Sequence, residues 1–220
     1  MQQTFKKKLL HSLPPSWQNR LIPILFSLKM TTTRGKAKKL TQRGTPVFLE
    51  IGSGPKKGQN GWVCLDQTGC DLIWDLRKGI PFPDESISKI YSSHLFEHLS
   101  FEETKGLIHE CKRVLVPGGL FLICVPNARL YLEAYINNKD ENFFQSLPSY
   151  HKPGYNNTTR MDWVNYVAYM GGEHKYMFDQ ENLLHILKMN GLKNVRVREF
   201  DPEIDMPERI FESLYAQGEK

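Results

Sequence analysis

The feature that most constrains the fold of this chain is an apolar run that ends in two closely spaced glycines. Residues 46–51 are followed by Gly52-Ser53-Gly54. A continuous apolar run of this length, closed by glycine, is typical of a buried parallel strand. The two glycines let the backbone turn sharply and let a ligand approach it closely. The segment therefore predicts a strand whose carboxyl end borders a ligand site.

Strand patterns and helix patterns alternate along the rest of the chain. Helices are indicated by a capping box, Ser100 with Glu103, and by the N-cap residue Asp179. Such alternation predicts an α/β fold with a mostly parallel sheet and helices on both faces. Further strands are predicted at 62–65, 71–75, 88–93, 120–125, 195–198 and 214–216. Because only residues 55–61 separate the glycine loop from the second strand, the helix that normally lies there must be reduced.

Acidic residues stand at or near the ends of three successive predicted strands. Glu50 precedes the glycine loop, Asp66 closes the second strand and Asp75 closes the third. In parallel sheets, ligands bind beyond the carboxyl ends of the strands, where the strand order reverses. Asp66 is placed to accept hydrogen bonds from both hydroxyls of a ribose, and Asp75 to accept one from the adenine amino group. The pattern predicts an adenosine site.

The spacing Gly52, Gly54 and Gly58 also fits a nicotinamide dinucleotide site. However, Glu50 would repel a pyrophosphate and would suit the ammonium group of a methionine moiety. Residues 55–58 are also too few to provide a good helix N-terminus for phosphates. The remaining alternative is a plain turn between two strands.

Together these motifs resemble those of class I S-adenosylmethionine (SAM)-dependent methyltransferases, and in particular small bacterial members associated with cell-surface glycan synthesis. The resemblance implies a Rossmann-like sheet with an antiparallel last strand. It is carried by residues 49–55, 75–76, 80–84, 91–99, 113–119 and 125–127, and again by 174–179 and 213–215.

The resemblance also implies a role for each matching position, with SAM as the cofactor. Asp66 would bind the ribose, and Asp75 and Leu76 would flank the adenine. Ser93 and His94 would lie near the methyl group that is transferred. The methionine end of SAM would be held by Glu50, Gly52, Ser53 and Gly54.

A hydroxyl acceptor needs a base, and histidine has an unperturbed pKa near neutrality. His94 is the first candidate and His174, just before the last helix, is the second. The alternative for each is a hydrogen-bonded structural histidine.

Residues 94–98 spell H-x-x-E-H, which is also an inverted zinc-protease pattern. The same letters arise from the methyltransferase motif, and no third ligand follows on a second helix. We therefore expect no metal, and we expect His98 to be a partly buried histidine that packs beneath the site.

Positive charge is concentrated at the start of the chain. Residues 1–49 hold ten of the 29 Lys and Arg residues and none of the 24 Asp and Glu residues, so the remainder has 19 basic and 24 acidic residues. We predict a basic N-terminal arm, 1–44, followed by a methyltransferase domain, 45–220, with an insertion at about 128–173. The arm suits an anionic membrane surface, with nucleic acid as the less favoured partner and a solvated tail as the alternative.

The sequence thus predicts a SAM-dependent methyltransferase that acts on a hydroxyl of a small molecule, sugar or lipid-linked glycan. The alternatives are an RNA methyltransferase that uses the basic arm and a SAM-binding protein without catalytic activity. Four cysteines without a C-x-x-C pair favour a reducing, cytoplasmic location, at the inner membrane face if the arm binds lipid.

Overall fold

The computed structural model describes residues 15–137 and 158–220, and for residues 15–22 it describes the backbone alone. The helices are α1 (Pro15–Thr41), α2 (Phe101–Val114), α3 (Ala128–Ile136), α4 (Arg160–Tyr169) and α5 (Gln180–Met189). The strands are β1 (Phe48–Ile51), β2 (Trp62–Asp66), β3 (Leu72–Ile73), β4 (Ile87–Ser93), β5 (Leu115–Pro126), β6 (Lys193–Val197) and β7 (Ser213–Glu219).

The strands form one sheet in the order β3-β2-β1-β4-β5-β7-β6. The strands β1 to β5 pair parallel with one another. β7 pairs antiparallel with both β5 and β6. The order reverses between β1 and β4, which is where a ligand is expected in such a sheet. The predicted mostly parallel sheet with an antiparallel last strand is confirmed.

The main apolar core lies against one face of the sheet. Alternate strand residues such as Leu49 and Ile51 pack there with side chains of α1, α2 and α5. α2 begins where predicted, since Ser100 Oγ accepts from the Glu103 backbone and Glu103 Oε2 accepts from the Ser100 backbone. The chain enters β5 directly after α2, so the Pro117-Gly118-Gly119 segment lies within a strand instead of separating the two elements.

The opposite face of the sheet is covered differently because residues 52–61 form a loop and no helix lies between β1 and β2. The reduced helix is therefore confirmed. Tyr91, Cys124 and Tyr215 pack on this face against Phe200 and Ile204. The last two residues belong to the connection between β6 and β7 (residues 198–212), which covers the space that a helix after β1 would fill.

α1 occupies most of the segment that the sequence analysis assigned to a basic N-terminal arm. Its second half is part of the domain, because Met30 and Ala37 are buried and Thr33 Oγ1 donates to the Ile73 carbonyl at 2.9 Å. Its first half leaves Ile24 and Leu28 more than half exposed. Residues 1–14 of the predicted arm lie outside the described residues.

The region predicted as an insertion contains α3 and α4, which pack against each other. Tyr131 of α3 and Trp163 and Tyr166 of α4 are buried in a second apolar cluster. Residues 138–157 lie outside the described residues. The boundaries of the arm and of the insertion therefore stay predictions.

Candidate functional site

Asp66 connects the three strand ends at which the cofactor residues were predicted. Its Oδ2 accepts from the Gly54 backbone at 2.8 Å, and its Oδ1 accepts from the Gln67 backbone. Its own carbonyl accepts from Trp74, the residue before Asp75, at 2.9 Å. The glycine loop, the end of β2 and the end of β3 therefore lie side by side.

Gly52 and Gly54 both have a φ of 67°, the left-handed region that favours glycine. The Ser53 hydroxyl donates to the Gly54 carbonyl at 3.1 Å. The loop after β1 therefore needs its glycines for its conformation, as the sequence predicts.

Glu50 is buried near the end of β1 and already holds an ammonium group. The Lys56 ammonium lies 2.6 Å from Oε1, and the Cys64 thiol donates to Oε2 at 3.6 Å. A carboxylate with this partner is suited to the ammonium group of an amino acid moiety.

Asp75 is also buried, at the start of a short 3-10 turn, Leu76–Lys78. Its carboxylate accepts from Arg77 Nε and Nη2, both at 2.9 Å, and this pairing lowers the pKa of Asp75. Leu76 packs against the main core. An adenine amino group at Asp75 would share the carboxylate with Arg77, whose side chain is largely exposed.

A cavity of about 300 Å³ lies on the face of the sheet to which Glu50 and Tyr91 contribute. Glu50, Trp62 and Tyr91 contribute to its lining, and Glu203 and Ile204 of the connection close it. The cavity continues from the carboxyl edge of the sheet toward the side on which Glu50 lies.

Ser93 is the last residue of β4 and His94 follows it, beside the glycine loop. Arg209 Nη1 donates to Ser93 Oγ at 2.8 Å and to the Ser93 carbonyl at 3.1 Å. His94 has a φ of 50°, and its Nε2 lies 2.8 Å from Ser213 Oγ. Its Nδ1 lies 3.6 Å from Oε1 of Glu97. The ring is therefore fixed from both sides.

His174 is buried in the same region and stands edge-on to His98, with 4.9 Å between the ring centroids. Its Nδ1 is 2.9 Å from the Val167 carbonyl, and His98 Nδ1 is 3.1 Å from the Glu173 carbonyl. Burial lowers the pKa of His174, which favours its neutral form.

Glu97 lies between these histidines and is 2% exposed. Its Oε1 is 3.9 Å from His98 Nε2, and its Oε2 has no hydrogen-bond partner among the described residues. Burial raises the pKa of Glu97 to about 8. No third ligand for the H-x-x-E-H pattern was expected, because none follows on a second helix. The fold brings His174, from the segment that precedes α5, close to Glu97 and His98.

A second cavity, of about 210 Å³, opens beside this group. Arg209 and Glu212 line it together with Tyr131, whose hydroxyl donates to Glu212 Oε2 at 2.8 Å. Arg209 and Glu212 were not predicted as site residues because they belong to no sequence motif. They reach the cavity only because the connection returns across the sheet before β7.

The strand order and the loop geometry define a Rossmann-like domain with a glycine loop at the carboxyl edge of its sheet. Residues 50–123, about a third of the chain, match the family model described as a methyltransferase domain. A protein of Mycolicibacterium smegmatis described as a probable S-adenosylmethionine-dependent methyltransferase is 39% identical over 57 residues, which are 24% of this chain. The chain spans about a fifth of the length of that curated relative, since the match covers 21% of it. Over residues 50–123 the chain is therefore similar to methyltransferase domains, and its sheet has the Rossmann-like strand order.

Two solved structures show how far the likeness extends. A SAM-dependent methyltransferase from Archaeoglobus fulgidus is 15% identical with a TM-score of 0.47, over 90% of this chain and 99% of that one. Phosphoethanolamine N-methyltransferase 2 from Haemonchus contortus, in complex with S-adenosyl-L-methionine, is 13% identical with a TM-score of 0.49, over 86% of this chain and 52% of that one.

Proposed function

We propose that the protein transfers the methyl group of SAM to a hydroxyl of a small molecule, a sugar or a lipid-linked glycan. The observation that carries the proposal is the juxtaposition of two sites. One is an edge with three acidic side chains around a glycine loop, and the other is a polar cavity that begins at the end of the neighbouring strand.

Different residues bind different parts of the SAM molecule. Glu50 binds the methionine ammonium in place of Lys56, because both are ammonium groups and the Lys56 side chain can move into solvent. Asp66 binds the ribose and Asp75 the adenine amino group. Gly52, Ser53 and Gly54 supply backbone that the methionine moiety can approach closely.

The chemical step depends more on positioning the two reactants than on activating the methyl group, because the sulfonium already makes that group a good electrophile. The acceptor oxygen forms a bond to the methyl carbon while the bond from that carbon to sulfur breaks. The hydroxyl proton goes to a base, for which His94 is the first candidate, at the end of β4 with its ring fixed by Ser213. In-line placement of the two reactants supplies most of the acceleration.

The second cavity suits a hydroxyl-bearing ring. It offers a guanidinium from Arg209, a carboxylate from Glu212, and the aromatic side chains of Tyr131 and Tyr166. Such a mixture of aromatic and polar groups is typical of sites that orient a small ligand.

A lipid-linked acceptor is favoured over RNA by the first half of α1. Ile24, Leu25 and Leu28 are exposed there, immediately before the basic residues that begin at Lys29. Apolar side chains next to positive charge suit the surface of an anionic bilayer, whereas phosphate contacts alone would need no apolar residues. Within the described residues, no helix has the length and apolar character required to cross a membrane.

The first test is calorimetric titration with SAM, its demethylated product S-adenosylhomocysteine, and NAD. We expect both SAM and the product to bind, and NAD not to bind. Asp66→Ala should weaken SAM binding at least about tenfold, because hydrogen bonds to a charged group contribute about 1.5–3 kcal/mol each. Glu102→Ala is the matched control, since it removes an exposed carboxylate from α2.

Normal SAM binding by Asp66→Ala would show that this carboxylate does not hold the ribose. Binding of NAD alone would overturn the proposed function. If SAM binds, transfer of a labelled methyl group to nucleotide sugars, lipid-linked glycans and RNA identifies the acceptor class.

A further inference from the structure

We infer that Glu97, His98 and His174 form a binding site for a zinc-class divalent cation. One ligand atom from each of these residues lies within 4.8 Å of the other two. The three side chains come from the 3-10 turn after β4 and from the segment before α5, so the fold itself assembles them.

Both histidines are held in the tautomer that a metal requires. A carbonyl oxygen can only accept, so Nδ1 of His98 donates to Glu173 and Nδ1 of His174 donates to Val167. Nε2 of each ring therefore carries the lone pair. Metal-ligating histidines usually donate their other ring N–H to a carbonyl or a carboxylate in this way, which fixes the orientation of the ring.

Glu97 supplies a buried carboxylate oxygen as the third ligand of such a site. Its carboxylate is buried, and Oε2 has no hydrogen-bond partner among the described residues. A buried carboxylate oxygen without a partner is costly, and coordination to a cation removes that cost. The adjoining cavity is also lined by Arg209 and Glu212, which carry opposite charges.

The spacing requires only a small contraction. Tetrahedral zinc with ligands at 2.0–2.1 Å places neighbouring ligand atoms about 3.3 Å apart. Glu97 Oε1 and His98 Nε2 are 3.9 Å apart. Rotation of the side chains must shorten the separation of Glu97 and His98 by about 0.6 Å, and that of any pair in the group by at most about 1.5 Å.

Three protein ligands leave a fourth position open, which is the arrangement of zinc sites that bind substrate or water. The second cavity borders all three residues, so this position faces the space assigned above to the acceptor. The cation would hold an oxygen of the acceptor, a role that rests on the proposed function. His174 is then a metal ligand and His94 remains the base.

The test is metal binding by the full chain after treatment with EDTA, in the absence of SAM and acceptor. We expect one Zn²⁺ per chain by calorimetry, and an absorption spectrum of bound Co²⁺ typical of four-coordinate nitrogen and oxygen ligands. His98→Asn, His174→Ala and Glu97→Gln should each weaken Zn²⁺ binding at least about tenfold. His109→Ala and His185→Ala remove exposed histidines and serve as controls that keep wild-type binding.

Absence of saturable Zn²⁺ binding, or wild-type affinity in both His98→Asn and Glu97→Gln, would overturn the inference. His98 is a third exposed, so His98→Asn is the variant that best preserves the fold, and thermal melting checks each protein. SAM titration of the same samples separates the two proposals. SAM binding without Zn²⁺ binding rejects only the metal site, and the reverse rejects only the proposed function.

Discussion

Gly52, in the loop after β1, lies so close to Leu95, in the loop after β4, that a methyl group on the Gly52 Cα would be 2.7 Å from Leu95 Cδ2. The glycine loop therefore packs directly on the segment that follows Ser93 and His94. Any side chain at position 52 would separate the two loops, as well as demanding a left-handed backbone conformation.

Gly52→Ala should therefore lower both stability and SAM affinity. The left-handed conformation costs about 1–2 kcal/mol for a residue with a Cβ, and the contact with Leu95 adds to it. With about 2–4 °C per kcal/mol for a chain of this size, we expect the Tm to fall by more than roughly 4 °C. Gly54→Ala is the matched control, since it has the same φ but no atom within 4 Å of the added methyl. Equal Tm values for the two variants would contradict the packing argument.

Asp205→Asn should destabilise the domain strongly. Asp205 is buried in the connection, with Oδ1 2.7 Å from Arg198 Nη2, and it also accepts from the Tyr91 hydroxyl at 3.0 Å. Loss of its charge leaves a buried guanidinium without a counter-ion, which costs about 3–5 kcal/mol and lowers the Tm by roughly 10 °C.

Asp84→Asn provides the comparison, because it removes an exposed partner of Arg113. Exposed pairs contribute about 0–1 kcal/mol. Thermal melts in which both variants lose the same stability would show that the Arg198 pair is not desolvated.

The four cysteines should resist thiol reagents in the native protein. All are buried, and burial raises the pKa of Cys64 to about 12 and that of Cys124 to about 11. The pKa values of Cys70 and Cys111 are raised by the same cause. A raised pKa reduces the reactive thiolate at pH 8, so we expect little labelling there, more as the pH approaches 11, and four labels per chain in guanidinium. Rapid labelling of the native chain at pH 8 would contradict this expectation.

The exposed apolar residues of α1 predict binding to anionic vesicles. We expect the full chain to sediment with vesicles rich in phosphatidylglycerol and to dissociate from them at high salt. It should not sediment with vesicles of phosphatidylcholine. The double variant Ile24→Ser with Leu28→Ser should reduce the bound fraction severalfold. Met189→Ser removes an equally exposed apolar side chain from α5 and should leave binding unchanged. Salt-sensitive binding to RNA that the double variant leaves intact would favour nucleic acid instead.

The sequence predicted the sheet and its cofactor edge because both depend on local patterns. The apolar run before Gly52, the acidic strand ends and the Ser100 capping box each act within a few residues. The short span between β1 and β2 was also enough to predict that a helix is missing there.

The acceptor side was predicted less completely because it depends on contacts between distant parts of the chain. Arg209 meets Ser93 across 116 positions, and His98 meets the carbonyl of Glu173 across 75. His94 and His174 were proposed as bases from the ordinary pKa of histidine and from their places in the chain, whereas the sequence gives no sign that Glu97 is buried. The extent of α1 was not predicted because its apolar residues lack a clear helical period.

The connection between β6 and β7 borders both cavities, with Ile204 at the cofactor side and Arg209 at the acceptor side. With the two cavities assigned as proposed, retention of the cofactor and choice of acceptor are not independent traits in this domain. Exchange of residues 198–212 between related enzymes would then transfer both properties in a single step, and selection for a new acceptor would act on cofactor affinity as well.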